Sequence, residues 1–258
     1  MPALLIDMDG VLYQGDTLLP GAREALAWLE AQRIPHLFLT NTTSRPRQAL
    51  VDKLASMGIT IAIDDLLTPP VAAHSWLRAN AKGDIALFVP EATRAEFADL
   101  AVRSDTHEYS AVVLGDLGEQ WDFATYNHIF RLLMHEPRPA LLALGMTRYW
   151  QTDNGLQLDV GPFIKGLEYA AGCQAIVTGK PAAAFFHAAM ALLGATAEET
   201  FMIGDDIRGD IEGAQKAGLR GLLVRTGKYR NSDLSLGIHP HAVLDSIADL
   251  PAWWEKHA

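Results

Sequence analysis

The sequence predicts an α/β protein whose parallel sheet is flanked by helices and interrupted by a second set of the same kind. Three observations predict it. Short apolar runs read as buried strands, stretches of helical periodicity separate them, and a second alternating series lies between the early and late parts of the first.

The elements follow in order. "ALLID" (3–7) is a buried strand. "GAREALAWLEAQRI" (21–34) is a helix, with Ala22, Leu26 and Leu29 at helical spacing and Trp28 beside them. "HLFLTN" (36–41) is the next strand, and "RPRQALVDKLASMG" (45–58) the next helix, closed by Gly58. The second series has candidate strands at 85–89, 111–115 and 140–145, an edge strand at 156–160, and a helix at 125–135. The pattern then resumes with "CQAIVTGKP" (173–181), helix 183–194, strand 200–204, helix 210–218 and strand 221–227.

The 258 residues hold one large domain or two modest ones, and 49% of them are hydrophobic, as in a folded globular chain. The formal charge of −10 argues against nucleic-acid binding, which calls for a basic patch. Cys173 is the only cysteine, so no intrachain disulfide forms, which fits a reducing compartment. No apolar stretch approaches the roughly 20 residues needed to span a bilayer. The start lacks a charged n-region and a long apolar run, so the expected location is cytoplasmic, with no membrane partner.

Four stretches fall just after predicted strands: "DMDG" (7–10), "TNTT" (40–43), "TGKP" (178–181) and "GDDIRGD" (204–210). In open α/β sheets the ligand crevice lies beyond the carboxyl ends of the strands. Asp7, Asp9, Thr40, Asn41, Lys180, Asp205, Asp206 and Asp210 are therefore candidates for one cleft. Like charges about 4 Å apart, at an effective dielectric near 20, cost roughly 4 kcal/mol per pair, so five carboxylates call for a cation. Oxygen ligands without His or Cys favour Mg²⁺ over Zn²⁺. Donors beside them, from Thr40, Asn41 and Lys180, suit a phosphate dianion.

These four motifs, in this order, resemble the haloacid dehalogenase superfamily of phosphohydrolases. "DMDG" is similar to its DxDG nucleophile motif, "TNTT" to its second, Lys180 to its third and "GDDIRGD" to its acidic fourth. Thirty residues separate Asp9 from Thr40, and 136 separate Thr43 from Lys180, so the second α/β series lies in the later interval. That resembles the NagD-like branch with a type-two cap. The resemblance implies a three-layer Rossmann-like core, residues 1–71 and 178–258, with an α/β cap at 72–177. Residues 148–172 and 224–230 carry a narrower resemblance inside that branch.

The resemblance also implies roles. Asp7 attacks phosphorus to give an aspartyl-phosphate, and Asp9 protonates the leaving group and then activates water. Mg²⁺ is held by Asp7, the backbone carbonyl of Asp9 and Asp205. Asp206 and Asp210 act around the ion and on Lys180. Asn41 and the hydroxyl of Thr40 or Thr42 hold phosphate oxygens, and Gly10 permits close backbone approach. The substrate class is small phosphate esters, phosphoanhydrides or phosphoramides, and the branch often forms homodimers through its caps.

Other readings stand beside these. Singly, Asp7 and Asp9 suit a turn, Thr40–Thr43 a helix N-cap, Lys180 a surface site and Asp210 the start of a helix. A carbon–halogen hydrolase needs neither Asp9 nor the acidic fourth motif. A phosphomutase shares all four motifs, but its relatives carry their cap in the earlier, shorter interval. A receiver-like binding module needs no 136-residue insertion. Arg148, Tyr149 and Trp150 either line the cleft or pack on the inserted domain. Arg225, Lys228 and Arg230 read as a solvated loop. Trp253 and Trp254 pack a terminal helix or meet a second copy.

Overall fold

The computed structural model describes residues 2–103, 108–152 and 155–257, with the backbone alone at 150–152. The chain divides into two compact units: Met1–Thr40, Arg47–Leu67 and Lys180–Ala258 form the first, Asn41–Pro46 and Thr68–Gly179 the second.

The first unit is built on a six-stranded sheet. In spatial order its strands are Ala242–Leu244, Arg220–Val224, Thr200–Gly204, Ala3–Asp7, His36–Leu39 and Leu66–Leu67, and every neighbouring pair is parallel. Parallel strands are covered on both faces, which explains why Ala3–Asp7 is buried throughout. Leu4, Ile6, Phe38 and Ile203 pack with Leu26, Leu29, Leu50, Leu54 and Trp254 on one side. The other side carries the helix Ala183–Leu193 and the turn Ile207–Glu212, where Ile207 and Ile211 meet Leu223. The fold is thus a three-layer α/β sandwich. Trp253 and Trp254 both lie against Phe201, with ring centroids 5.5 and 5.2 Å away, so they pack the helix Leu250–His257 onto the core.

The sheet also fixes where a ligand belongs. From Ala3–Asp7 the chain moves to His36–Leu39 on one side, then later returns to Thr200–Gly204 on the other. That reversal is the topological switch point, where open parallel sheets leave a crevice at their carboxyl ends. Asp7 is the last residue of its strand, and Asp205 follows the last residue of the neighbour.

The second unit repeats the recipe on four parallel strands, in the order Ile176–Val177, Ala140–Ala143, Tyr109–Leu114 and Asp84–Phe88. Val112, Leu114 and Leu141 pack with Ile129, Leu133, Ile164 and Leu167 from the helices Phe123–Leu133 and Val160–Ala171. Ile85, Leu87, Val113 and Leu142 pack with Ala73, Leu77 and Phe97. The strand expected at 156–160 as an edge of this sheet is instead half of a separate antiparallel hairpin, Gly155–Leu158 paired with Tyr149–Thr152. Leu156 and Leu158 are exposed there, so the hairpin lacks the apolar cover that would draw it into the sheet. No described helix is long and apolar enough to cross a membrane.

Candidate active site at the carboxyl end of the first sheet

Strand alternation builds the centre of the site. Leu4 and Ile6 face the large apolar cluster, so Asp7 points to the opposite side, where Lys180 precedes its helix and Asp210 sits on its turn. Lys180 Nζ donates to Asp7 Oδ1 at 2.5 Å and to Asp210 Oδ1 at 2.7 Å. All three side chains are buried. Asp210 Oδ2 accepts the backbone N–H of Asp206 at 3.1 Å. Gly204 is required beneath it, because a Cβ there would collide with the Asp210 side chain.

Asp205 completes the group. Carboxylate oxygens of Asp7, Asp205 and Asp210 lie within 4.8 Å of one another, and all three residues are buried. Asp205 Oδ2 accepts the backbone N–H of Lys228 at 2.6 Å, whereas Oδ1 is buried and meets no donor. Asp206 turns away: its Oδ1 accepts the N–H groups of Arg208 at 3.0 Å and Gly209 at 2.8 Å, capping the turn Ile207–Glu212.

The electrostatics follow from burial. Desolvation, with Asp210 and Asp205 nearby, pushes the Asp7 carboxyl up to about 7 against the opposing pull of Lys180. Burial and Asp210 raise Asp205 to about 6. For Lys180 burial works downward, but the carboxylates of Asp210 and Asp7 outweigh it and hold the ammonium well above its ordinary range. For Asp206 burial also works upward, but the N–H of Gly209 and the charge of Lys228 lower it overall.

The residues fit a hard divalent cation. Their donors are all oxygens, one of them a buried carboxylate oxygen with no partner, and a positive charge there would favour the ionised forms that burial opposes. Asp7 and Asp205 have oxygens outside the Lys180 contact, while both oxygens of Asp210 engage protein donors.

The remaining candidates fall as follows. The strand ends at Asp7, Gly10 takes φ +89°, and the side chain of Asp9 is exposed rather than buried beside Asp7. Thr40 is buried one residue past His36–Leu39, whose Leu39 is in register with Asp7. Asn41 and Thr42 belong to the second unit. Arg148 stacks its guanidinium over the half-exposed ring of Tyr149 at 5.6 Å, and the side chain of Trp150 lies outside the described residues. The side chains of Arg225, Lys228 and Arg230 are exposed, yet the Lys228 backbone holds Asp205. Residue-type reasoning passes over a backbone donor. The only signal available was the Thr226-Gly227 pair after a strand.

Residues 4–103 match the family model described as haloacid dehalogenase-like hydrolase, and residues 177–250 a HAD-hydrolase-like model. The phospholysine phosphohistidine inorganic pyrophosphate phosphatase of Homo sapiens is 39% identical over 250 residues, covering 95% of this chain and 90% of its own. NagD from E. coli K-12 superposes with a TM-score of 0.86 at 24% identity, covering 96% of this chain and 98% of its own. The glycerol phosphate phosphatase Rv1692 of Mycobacterium tuberculosis, in complex with calcium, reaches a TM-score of 0.83 at 26% identity over 96% of this chain and 74% of its own. The fold, the spacing of the motifs and these likenesses converge: the chain belongs to the haloacid dehalogenase-like hydrolase family.

Proposed function

We propose that the protein is a Mg²⁺-dependent phosphatase that hydrolyses small phosphate esters, phosphoanhydrides or phosphoramides through an aspartyl-phosphate on Asp7. The observation that carries the reading is the buried Lys180–Asp7–Asp210 array beside an Asp205 oxygen with no partner. The name of the human relative, with its P–N and P–O–P bonds, and the calcium complex of the mycobacterial one support the substrate class and the divalent ion.

Mg²⁺ would be held by Asp7, Asp205 and the Asp9 carbonyl, and when bound it would offset the negative charge shared by nucleophile and phosphate. Lys180 holds Asp7 in place through Oδ1, and a carboxylate oxygen of Asp7 forms the bond to phosphorus as the bond to the leaving group breaks. Asp9, exposed beyond the strand end, serves as the acid that protonates the leaving group. It then takes a proton from the water that attacks the aspartyl-phosphate and frees inorganic phosphate. Thr40, Asn41 and Thr42 hold phosphate oxygens, and the second unit serves as the cap that excludes water. The single cysteine suits the cytoplasm.

Purified protein should hydrolyse pyrophosphate and p-nitrophenyl phosphate with Mg²⁺ and lose that activity in EDTA. Equal rates with and without EDTA would sink the metal-dependent reading.

A further inference from the structure

Three strands stand side by side in the order Arg220–Val224, Thr200–Gly204, Ala3–Asp7, and the loops leaving the outer two meet over the end of the middle one. Thr226 Oγ1 donates to the carbonyl of Gly10 at 2.5 Å. The two backbones come so close that a Cβ on Gly227 would fall 2.6 Å from the Cα of Gly10. Both glycines have positive φ, +89° at Gly10 and +58° at Gly227, a region that side chains disfavour. A Cβ on either would also strike Asp205 Oδ2. The bridge therefore encloses that oxygen, and the Lys228 N–H seals it at 2.6 Å.

The consequence lies at the other oxygen. With Oδ2 confined by Gly10, Gly227 and the Lys228 amide, the carboxylate has one orientation, and Oδ1 is the atom left buried without a partner. We propose that Thr226 is a positioning residue for the divalent-cation site: its hydroxyl joins the loop after Val224 to the loop after Asp7, and so fixes which oxygen Asp205 offers. The loop reaches the site through two contacts of different kinds, a side-chain hydroxyl to Gly10 and a backbone amide to Asp205. Without the hydroxyl the two loops lose their link, the enclosure of Asp205 Oδ2 loosens, and the carboxylate gains freedom that cation binding must remove.

This inference rests on the proposed placement of a divalent ion at Asp205, and the test separates the two. Mg²⁺ affinity is measured by isothermal titration calorimetry on the full chain, for wild type, Thr226→Val and Thr226→Ser, alongside the melting temperature in EDTA. Thr226→Val, which keeps the shape and removes the hydroxyl, should bind Mg²⁺ about 10-fold or more weakly, the usual effect of losing a group that orients a ligand. Thr226→Ser should restore the affinity. The kcat deficit of Thr226→Val at low Mg²⁺ should close at saturating Mg²⁺. Unchanged affinity in Thr226→Val, or a Thr226→Ser variant as weak as Thr226→Val, overturns the positioning role alone. Wild-type protein that takes up no divalent cation overturns both this role and the function it rests on.

Discussion

The two units apply one architecture to different ends. Each has a parallel sheet with helices on both faces and an apolar core on each side. In the first, the central strand ends in a carboxylate and the next strand is followed by another. In the second, the strands end in Phe88, Leu114, Ala143 and Val177. Among the described residues the acidic cluster able to hold a metal belongs to the first unit. Strand order reverses beside Ala3–Asp7 in the first sheet, whereas in the second it runs steadily from Asp84–Phe88 to Ile176–Val177, so the first has both the switch point that opens a crevice and the residues beyond its strand ends that make it reactive.

Lys180 is the place to break that contrast. Its ammonium offsets two buried carboxylates, so Lys180→Met leaves them uncompensated. In the metal-free protein at pH 8 we expect a loss of about 3–5 kcal/mol, as for other broken buried ion pairs, and no detectable phosphatase activity. Urea unfolding in EDTA measures the first and a chromogenic phosphate the second. A variant as stable as wild type would show that the array is solvated.

Asp9 sharpens the division between the buried and exposed carboxylates of one motif. Asp9→Asn should slow turnover by roughly 10²–10⁴-fold, the range of general acid–base catalysis, with a smaller deficit for a good leaving group such as p-nitrophenolate. An equal deficit for good and poor leaving groups would remove its part in the first step.

The smallest effect is on stability against pH. Asp7 rises from 3.8 to about 7 and Asp205 to about 6, both chiefly by burial. The folded state therefore binds more protons than the unfolded one between about pH 4 and 7, and their contribution to stability falls as pH rises through that window. Lys180, held above its ordinary range, stays charged throughout, and the lowered Asp206 matters only in stronger acid. In EDTA the melting temperature should decline from pH 4.5 to 7.5, and Mg²⁺ should lessen the decline because it binds the ionised carboxylates. The decline should be smaller in Asp205→Asn, which removes one of the two titrating groups, and an equal decline would mean that Asp205 does not cause it.

The same contrast explains what the sequence shows. Asp7 and Asp205 were legible because each ends a continuous apolar run, and Lys180 because it precedes a strongly apolar helix. Other features gave weaker signals. Leu66–Leu67 is a two-residue strand, too short for periodicity, and the helix Pro69–Asn80 begins with two prolines that also suit a turn. Ala242–Leu244 lies behind His239-Pro240-His241, which reads as loop. The expected helix at 210–218 begins earlier, as a π-helical turn at Ile207–Glu212 followed by Gly213–Lys216, because Asp206 caps it from within the motif. The Lys228 amide is invisible in principle, since every residue but proline carries one.

The central claim is that Asp7, steadied by Lys180, becomes covalently phosphorylated. The direct measurement is to quench the protein during turnover with Mg²⁺ and pyrophosphate, reduce acyl phosphates with borohydride, and map the modified residue by mass spectrometry. The account predicts conversion of Asp7 to homoserine, absent without substrate and absent in Asp7→Asn. Turnover with Asp7 left unmodified, or modification at Asp9 or Asp205 in its place, would contradict it.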